Sequence, residues 1–377
     1  MPRRDYAPAS TADVGRSNTT SVLRALYGNG PKSVPMIIRE LGLSRTTVEK
    51  AIKELIGKGY LEKAQERGAV PRNTGRPPVL YRFRASAGHV VGLDVGAHSV
   101  RAIVTDLEGG VEHPGPQEYE IAITGRADRL TLLGAVDHVV ATVLDAAALT
   151  PEHVWAVAAG LPGIVDQCGN VQVCKVIRGW EGDHVCSHLR QLFPAPGCVI
   201  RVENDANLAA VAEHRMGRAR QAEDFVHVLA GHRIGLGIFH GGQLHRGAMG
   251  RAGEIANISP GPWGRANKWL RKQDRTTATA LFQDASGVTR VDDLAADLAA
   301  GIAEVVHVID PALIVIGGGL AHAGDTLLNA IRSRLDRACE PTRAPPPVEL
   351  SILRERGVVL GAVHFALEPV QDKLFRL

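Results

Sequence analysis

The pattern of apolar and polar positions divides the chain into two parts of different texture. Up to about residue 85, short stretches with apolar residues three or four positions apart alternate with glycine-rich turns. From residue 86 onward, buried-strand patterns alternate with longer helical patterns, and several strands end at glycine. The pattern predicts a disordered tail at residues 1–16, a small helical domain at 17–85 and a larger α/β domain behind it.

Three helices are predicted in the small domain, at residues 17–27, 33–41 and 44–57. The turn between the second and third helices, Gly42–Ser44, is short, as in a helix-turn-helix. At 100° per residue the third helix has one apolar stripe, formed by Val48, Ile52, Leu55 and Ile56. This stripe is expected to face the core of the domain.

The other face of the third helix is polar and basic. In a helix-turn-helix this face enters the major groove, and residues near the amino end of the helix meet the base edges. The sequence therefore predicts DNA contacts from Arg45, Thr46, Thr47, Lys50 and Lys53. The alternative interpretation is an ordinary helical hairpin with a solvated face.

Strand patterns at residues 60–64 and 79–83 extend this module to a winged version. Between them lies a loop rich in glycine, proline and arginine, in which Arg76 stands in a Gly-Arg-Pro-Pro run. A narrow backbone carrying arginine suits the negative potential of the minor groove, so we predict a DNA contact for Arg76. The alternative is a solvated linker.

Charge supports the same division. Residues 1–85 carry about +9 and the remainder about −6, which leaves a net charge of +3. A basic amino-terminal segment beside an acidic body indicates nucleic-acid binding at one end of the chain. Five cysteines at irregular spacing, no signal peptide and no membrane-length apolar run indicate a cytoplasmic protein with free thiols and no membrane partner.

Within the large domain, a strand, a glycine-containing loop and a second strand occur at residues 90–106 and again at 225–240. Such a repetition predicts an internally duplicated α/β domain with a ligand cleft between its lobes. The expected first lobe is 86–200 and the second 201–345, and residues 346–377 are expected to return to the first lobe.

Several motifs occur in a fixed order, namely GRPP (75–78), GLDVG (92–96), GLPGIVD (160–166), ENDAN (203–207), IGLGI (234–238) and IGGGL (316–320). Together they resemble the ROK family, which unites bacterial sugar-responsive repressors with sugar kinases. The resemblance covers roughly residues 17–370 and implies an actin-like ATPase fold, a duplicated ribonuclease H-like domain. The winged helix-turn-helix resembles the repressor branch, which implies operator DNA as partner and a homodimer or homotetramer.

The resemblance also implies roles for particular residues. Asp205 stands at the position of the kinases' catalytic base, with Asn204 beside it as a sugar contact, although both also suit a helix cap. Glu254 matches a sugar-binding carboxylate and Gly163 a turn that lines the cleft. Asn257 stands where a histidine would bind both zinc and sugar.

The chain departs from the kinase pattern at both phosphate loops. Residues 94–98 lack the usual second glycine and threonine, and Arg233 replaces a glycine in the second loop. A long side chain there opposes the close approach of backbone to phosphate. We therefore expect no ATP cofactor and no catalytic turnover, with Asp205 only a vestige of the catalytic site.

The zinc-binding segment also departs from the family pattern, because residues 253–265 contain neither cysteine nor histidine. The thiol and imidazole ligands of a structural zinc site are missing, so no zinc is expected. A carboxylate that usually follows this segment has no equivalent either, which leaves the effector open between a sugar and a sugar phosphate.

The sequence thus favours a transcriptional regulator, in the sense of a repressor, of carbohydrate-related genes, controlled by a ligand in the large domain. Two other interpretations remain open. One is an active or bifunctional ATP-dependent sugar kinase. The other is a regulator that responds to a protein partner instead of a small ligand.

Overall fold

The computed structural model describes residues 11–64, 78–109, 117–124, 127–255, 258, 260–272, 288–339 and 344–376. The chain forms two compact units, each taken as far as its residues are described. The first holds residues 1–90, 105–115 and 367–377, and the second holds 91–104 and 116–366. The first unit is therefore larger than the expected segment 17–85, since it includes two later segments of the chain.

The first unit contains the expected winged helix-turn-helix. Its helices are α1 (Thr11–Leu26), α2 (Val34–Leu41) and α3 (Arg45–Gly57), and its sheet is antiparallel with the order β1 (Lys32–Ser33), β3 (Leu80–Phe83), β2 (Leu61–Ala64). Helix α1 begins at Thr11, so residues 11–16 are helical and the expectation of a tail extending to residue 16 is wrong.

Local chemistry explains where these helices begin and end. Gly42 has a φ of +66°, and its N–H donates to the Ile38 carbonyl over 2.8 Å, which ends α2. Three of the four predicted stripe residues of α3 are buried, as is Ala51. Ile56 is 39% exposed, so its predicted place in the core is wrong. It lies at the edge of the stripe in the last turn of α3, beyond the packing surface.

Tyr27 joins α1 to the later segments of the first unit. Its hydroxyl donates to the Leu107 carbonyl and accepts from Gln371 Nε2 over 3.0 Å. Its ring contacts Phe83 and Phe375 at centroid distances of 4.9 and 5.5 Å. Burial raises the pKa of Tyr27 to about 12, so the hydroxyl is protonated at neutral pH and can donate.

Two five-stranded sheets dominate the second unit. The first contains β4 (His89–Val95), β5 (Ser99–Asp106), β6 (Gln117–Ala122), β7 (Val154–Leu161) and β10 (Val199–Asn204), in the order β10-β7-β4-β5-β6. The second contains β11 (Phe225–Ala230), β12 (Ile234–His240), β13 (Gln243–Leu244), β14 (Leu313–Gly317) and β15 (Val348–Leu350), in the order β13-β12-β11-β14-β15. A short hairpin is formed by β8 (Ile164–Val165) and β9 (Val171–Val173).

Counted within each half, both sheets have the same strand order: third, second, first, fourth, fifth. In both halves the second and third strands are antiparallel and the fourth and fifth are parallel. This repetition confirms the duplicated α/β fold class.

The described helices of this domain are α4 (Arg129–Ala146), α5 (His184–Leu192), α6 (Asp205–Met216), α7 (Pro262–Leu270), α8 (Val288–Ile309), α9 (Gly324–Cys339) and α10 (Gly357–Leu374). Among the residues that the structure describes, no helix is long and apolar enough to cross a bilayer.

The expected lobe boundaries need correction. Strand β10 pairs with β7 from Val199↔Ala156 to Asn204↔Leu161, so a boundary after residue 200 would divide one strand of the first sheet. Strand β15 pairs with β14 in the second sheet, so that half extends beyond residue 345. Both errors concern the fifth strand of a half, where the chain leaves one sheet for a helix.

Candidate functional site

The outward face of α3 is presented by a capped helix. Ser44 precedes α3 in extended conformation, and its Oγ accepts from the Thr47 backbone N–H over 3.2 Å. Thr46, Lys50 and Lys53 are exposed on this helix, as the sequence predicts. We call these three side chains the reading face.

Two further predicted DNA contacts have partners within α3. The hydroxyls of Ser44 and Thr47 lie 2.8 Å apart, and Thr47 is half-buried. Arg45 Nε donates to Glu49 Oε1 over 2.8 Å, but both side chains are exposed, so this ion pair is easily exchanged for another acceptor. Arg76 lies outside the described residues.

A cavity of about 100 Å³ in the second unit brings together four of the predicted ligand residues, Gly163, Asn204, Asp205 and Glu254. They come from the β7–β8 turn, the end of β10, the start of α6 and the segment after β13. Positions almost a hundred residues apart in the chain thus share one wall. The fifth, Asn257, lies outside the described residues.

Asn204 organises this wall. Its Oδ1 accepts from the Asn207 N–H over 3.1 Å and caps α6, while its Nδ2 donates to the Gly163 carbonyl over 2.9 Å. At Gly163 the φ is +115°, and a Cβ would lie 2.3 Å from the Val173 carbonyl oxygen, so only glycine fits this turn. The capping role that the sequence allows for Asn204 is therefore present, and it fixes the turn beside the cavity.

The two carboxyl groups of the cavity lie in an environment that disfavours charge. Burial, with a further contribution from Glu254, raises the pKa of Asp205 to about 7. Burial also raises the pKa of Glu254, against an opposing contribution from Lys175. Carboxyl groups that are readily protonated can both donate to and accept from a ligand hydroxyl.

Two cations line the same cavity, Lys175 after β9 and Arg233 in the loop between β11 and β12. The sequence drew attention to Arg233 as a replacement for glycine but not to Lys175. No motif marks Lys175, and only folding places it near Glu254.

Behind the wall, a buried carboxylate supports Asn204. Glu203 Oε1 accepts from the Asn204 N–H and from Asn207 Nδ2, each over 2.9 Å, and its Oε2 accepts from Arg246 Nε. Glu203 is only 4% exposed. Sequence analysis missed this supporting group, although its place at the start of the ENDAN motif is a usable signal.

The loops that bind ATP phosphates in related kinases have a different arrangement here. His98, after β4, and His232, after β11, place their rings 4.1 Å apart between centroids, with the planes at 37°. The two histidines therefore contact each other across the two loops.

The residues present do not fit the zinc ion that the resemblance would imply. Within the described parts of the chain, no group of three histidine, cysteine or acidic side chains is placed to hold a metal. All five cysteines are free thiols. Trp263, in the segment that usually carries the zinc ligands, is 1% exposed and packs in the core with Leu298 and Ile302.

A winged helix-turn-helix beside a duplicated actin-like domain with a polar cavity defines a regulator-type architecture. The chain belongs to the ROK family, whose model matches residues 90–266 and 263–368. The MarR family model matches residues 13–69, which identifies the amino-terminal module as a MarR-type winged helix.

Relatives with the same arrangement match nearly the whole chain. The xylose repressor of Caldicellulosiruptor bescii is 24% identical and covers 93% of this chain and 95% of its own. A ROK family transcriptional regulator, a homologue of the E. coli MLC protein, superposes with a TM-score of 0.68 at 19% identity, covering 96% of this chain and 97% of its own.

A kinase relative matches less of the chain. The ROK family glucokinase of Streptomyces griseus, solved with glucose and AMPPNP, has a TM-score of 0.62 at 24% identity. The match covers 99% of the kinase but 74% of this chain. The chain therefore contains about a quarter more than this kinase has.

Proposed function

We propose that this protein is a sequence-specific transcriptional repressor of carbohydrate-related genes, controlled by a sugar-type effector in the cavity of its ROK domain. The observation that carries the proposal is the coexistence, in one chain, of a winged helix with an exposed reading face and a ROK domain with a polar cavity. The names of full-length relatives, such as the xylose repressor, agree with it.

In this proposal α3 lies in the major groove of an operator. Thr46, Lys50 and Lys53 are exposed and reach base edges or phosphates, while Arg45 can leave Glu49 for a phosphate. Thr47 contributes near the amino end of α3, and Arg76 enters the minor groove.

The effector binds where Gly163, Asn204, Asp205 and Glu254 converge. Asp205 and Glu254 supply carboxyl groups to the sugar hydroxyls, and Asn204 with Gly163 holds their backbone in place. Asn257 is proposed as a further contact. This arrangement matches the general design of ligand cavities, in which a few fixed polar groups set orientation.

The protein acts as a homodimer or homotetramer, in which the effector changes the spacing or mobility of paired winged helices. Dimeric readers require half-sites separated by whole turns of DNA, so a small change in spacing alters affinity. A ligand shifts this equilibrium only by its differential affinity for the two states, typically about 1–3 kcal/mol. We expect the effector to release the operator, in the cytoplasm and without a membrane partner.

Phosphoryl transfer is the competing function, and one observation favours it. Asp205 has a pKa near 7, which suits a general base. Against it, Arg233 stands where a loop backbone would approach phosphate, and His98 and His232 contact each other across the two loops. Without backbone amides to cradle phosphates, a base alone does not give a kinase. We therefore propose a protein without ATP or zinc as cofactor.

The test begins with selection of bound sequences from a random DNA pool. The selected operator is then titrated with the full chain, with and without a panel of sugars and sugar phosphates, and ADP release is followed over the same panel. Effector-dependent release without ADP formation supports the proposal. Turnover would establish the kinase, and specific DNA binding unaffected by every small molecule would favour control by a protein partner.

A further inference from the structure

Arg233 is a cation with no counter-ion near it. It is half-buried in the cavity wall, and no carboxylate among the described residues forms an ion pair with it. Burial, followed by repulsion from Arg271, lowers the pKa of Arg233. A desolvated cation without a partner costs free energy that an opposite charge would recover.

Lys175 gives the cavity a second cation. Its side chain lines the same cavity and interacts electrostatically with Glu254. The cavity wall therefore combines two carboxyl groups, Asp205 and Glu254, with two cations. A neutral sugar would satisfy the carboxyl groups by its hydroxyls but would leave Arg233 without a counter-charge.

We infer that the cavity selects a monosaccharide that bears an anionic group, a phosphate ester or a sugar-acid carboxylate, with the anion at Arg233 and Lys175 and the hydroxyls at Asp205 and Glu254. This inference rests on the proposed effector role of the cavity. Guanidinium groups bind phosphate and carboxylate by paired hydrogen bonds, which supplies both charge and orientation.

The carboxyl groups permit this ligand. Two fully ionised carboxylates would repel an anion, but burial raises the pKa of both, and that of Asp205 reaches about 7. At neutral pH part of the repulsion is therefore absent, while the charges of Arg233 and Lys175 remain.

Calorimetry on the full chain tests the inference with three matched sets, glucose, mannose and galactose, each as neutral sugar, 6-phosphate and uronic acid. In at least one set, an anionic member is expected to bind at least tenfold more tightly than its neutral counterpart. The difference should shrink as salt is raised. The comparison of phosphate with uronic acid within that set distinguishes the two sources of the anion.

Arg233→Gln supplies the second readout. It is expected to reduce affinity for the anionic sugar at least tenfold and for the neutral sugar less than twofold, with no loss of thermal stability. Lys175→Gln should act in the same direction. Lys268→Gln, an exposed lysine on α7, is the matched control and should change neither affinity.

Two results would overturn the inference and separate it from the proposed function. If neutral sugars bind as tightly as anionic ones and release the operator, the anion subsite is wrong while the repressor proposal stands. If no member of any set binds or alters operator affinity, the effector role of the cavity fails as well.

Discussion

The reading face of α3 and the wall of the cavity are both polar, yet their side chains are held in opposite ways. Thr46 and Lys50 are exposed on a helix whose other face makes the core. Asp205 and Glu254 are partly buried and act on each other electrostatically. Exposed groups contribute little to folding, whereas desolvated groups cost free energy. Substitutions should therefore separate function from stability on α3 and mix them in the cavity.

The largest effect is expected from Gly253→Ala in the cavity wall. Gly253 has a φ of +85°, and a Cβ would lie 2.0 Å from the Leu236 carbonyl oxygen. Strain and overlap together should lower the free energy of unfolding by about 2–5 kcal/mol, measured by urea denaturation. The effector response should be lost with it, because Glu254 is the next residue.

Gly241→Ala is the control for Gly253→Ala. Gly241 has a φ of +57° but open space around its Cβ position, so only the conformational cost of about 1–2 kcal/mol remains. Equal losses in the two variants would show that the close packing of Gly253 is unimportant.

The next effect concerns Asp205→Asn and depends on pH. The pKa of Asp205 rises from 3.8 to about 7 on folding, so between these values the folded state binds more protons than the unfolded state. The free energy of unfolding of the wild type therefore falls as pH rises from 4 to 7, and Asn removes this dependence. At pH 8 the variant should be more stable by up to about 4 kcal/mol.

The measurement for Asp205→Asn is urea denaturation at pH 5 and pH 8. Asp145→Asn, on the exposed side of α4, serves as the control for removal of one carboxylate. A stability difference that stays constant between the two pH values would contradict the raised pKa. Gain of stability with loss of effector binding would mark Asp205 as a group kept for function at the expense of folding.

On the reading face, Lys50→Gln should act on DNA alone. A lost base contact costs about 1–3 kcal/mol of specific binding, while the free energy of unfolding should change by less than about 0.5 kcal/mol. Fluorescence anisotropy with operator and random DNA measures the first quantity, and Lys268→Gln is again the control. Equal losses on both DNAs would assign Lys50 to a phosphate.

The same contrast explains what the sequence could predict. The helix-turn-helix was accessible because its periodicity and caps, Ser44 and Gly42, are local signals. Ile56 escaped because a helical stripe does not show where the packing partner ends. For the cavity, the motifs indicated Gly163, Asn204, Asp205 and Glu254, which the fold brings together.

Other parts of the cavity could not be predicted, because they depend on contacts distant in sequence. Lys175 meets Glu254, and Glu203 meets Arg246, only after two sheets have formed. The lobe boundaries failed for a related reason. The partners of β10 and β15 are set by parallel pairing, which leaves no local turn signal.

The smallest effect tests the one position where the two regions behave alike. Thr47 lies on α3, but its hydroxyl is 2.8 Å from that of Ser44, which caps the helix. Thr47→Ala should therefore lower the free energy of unfolding by about 0.5–1.5 kcal/mol and also weaken operator binding, whereas Thr46→Ala should weaken operator binding only. Urea denaturation and anisotropy on both variants check this. If Thr46→Ala destabilises the protein as much as Thr47→Ala does, exposure on α3 does not separate DNA contact from folding, because the neighbouring hydroxyls would then share the structural role assigned to Thr47.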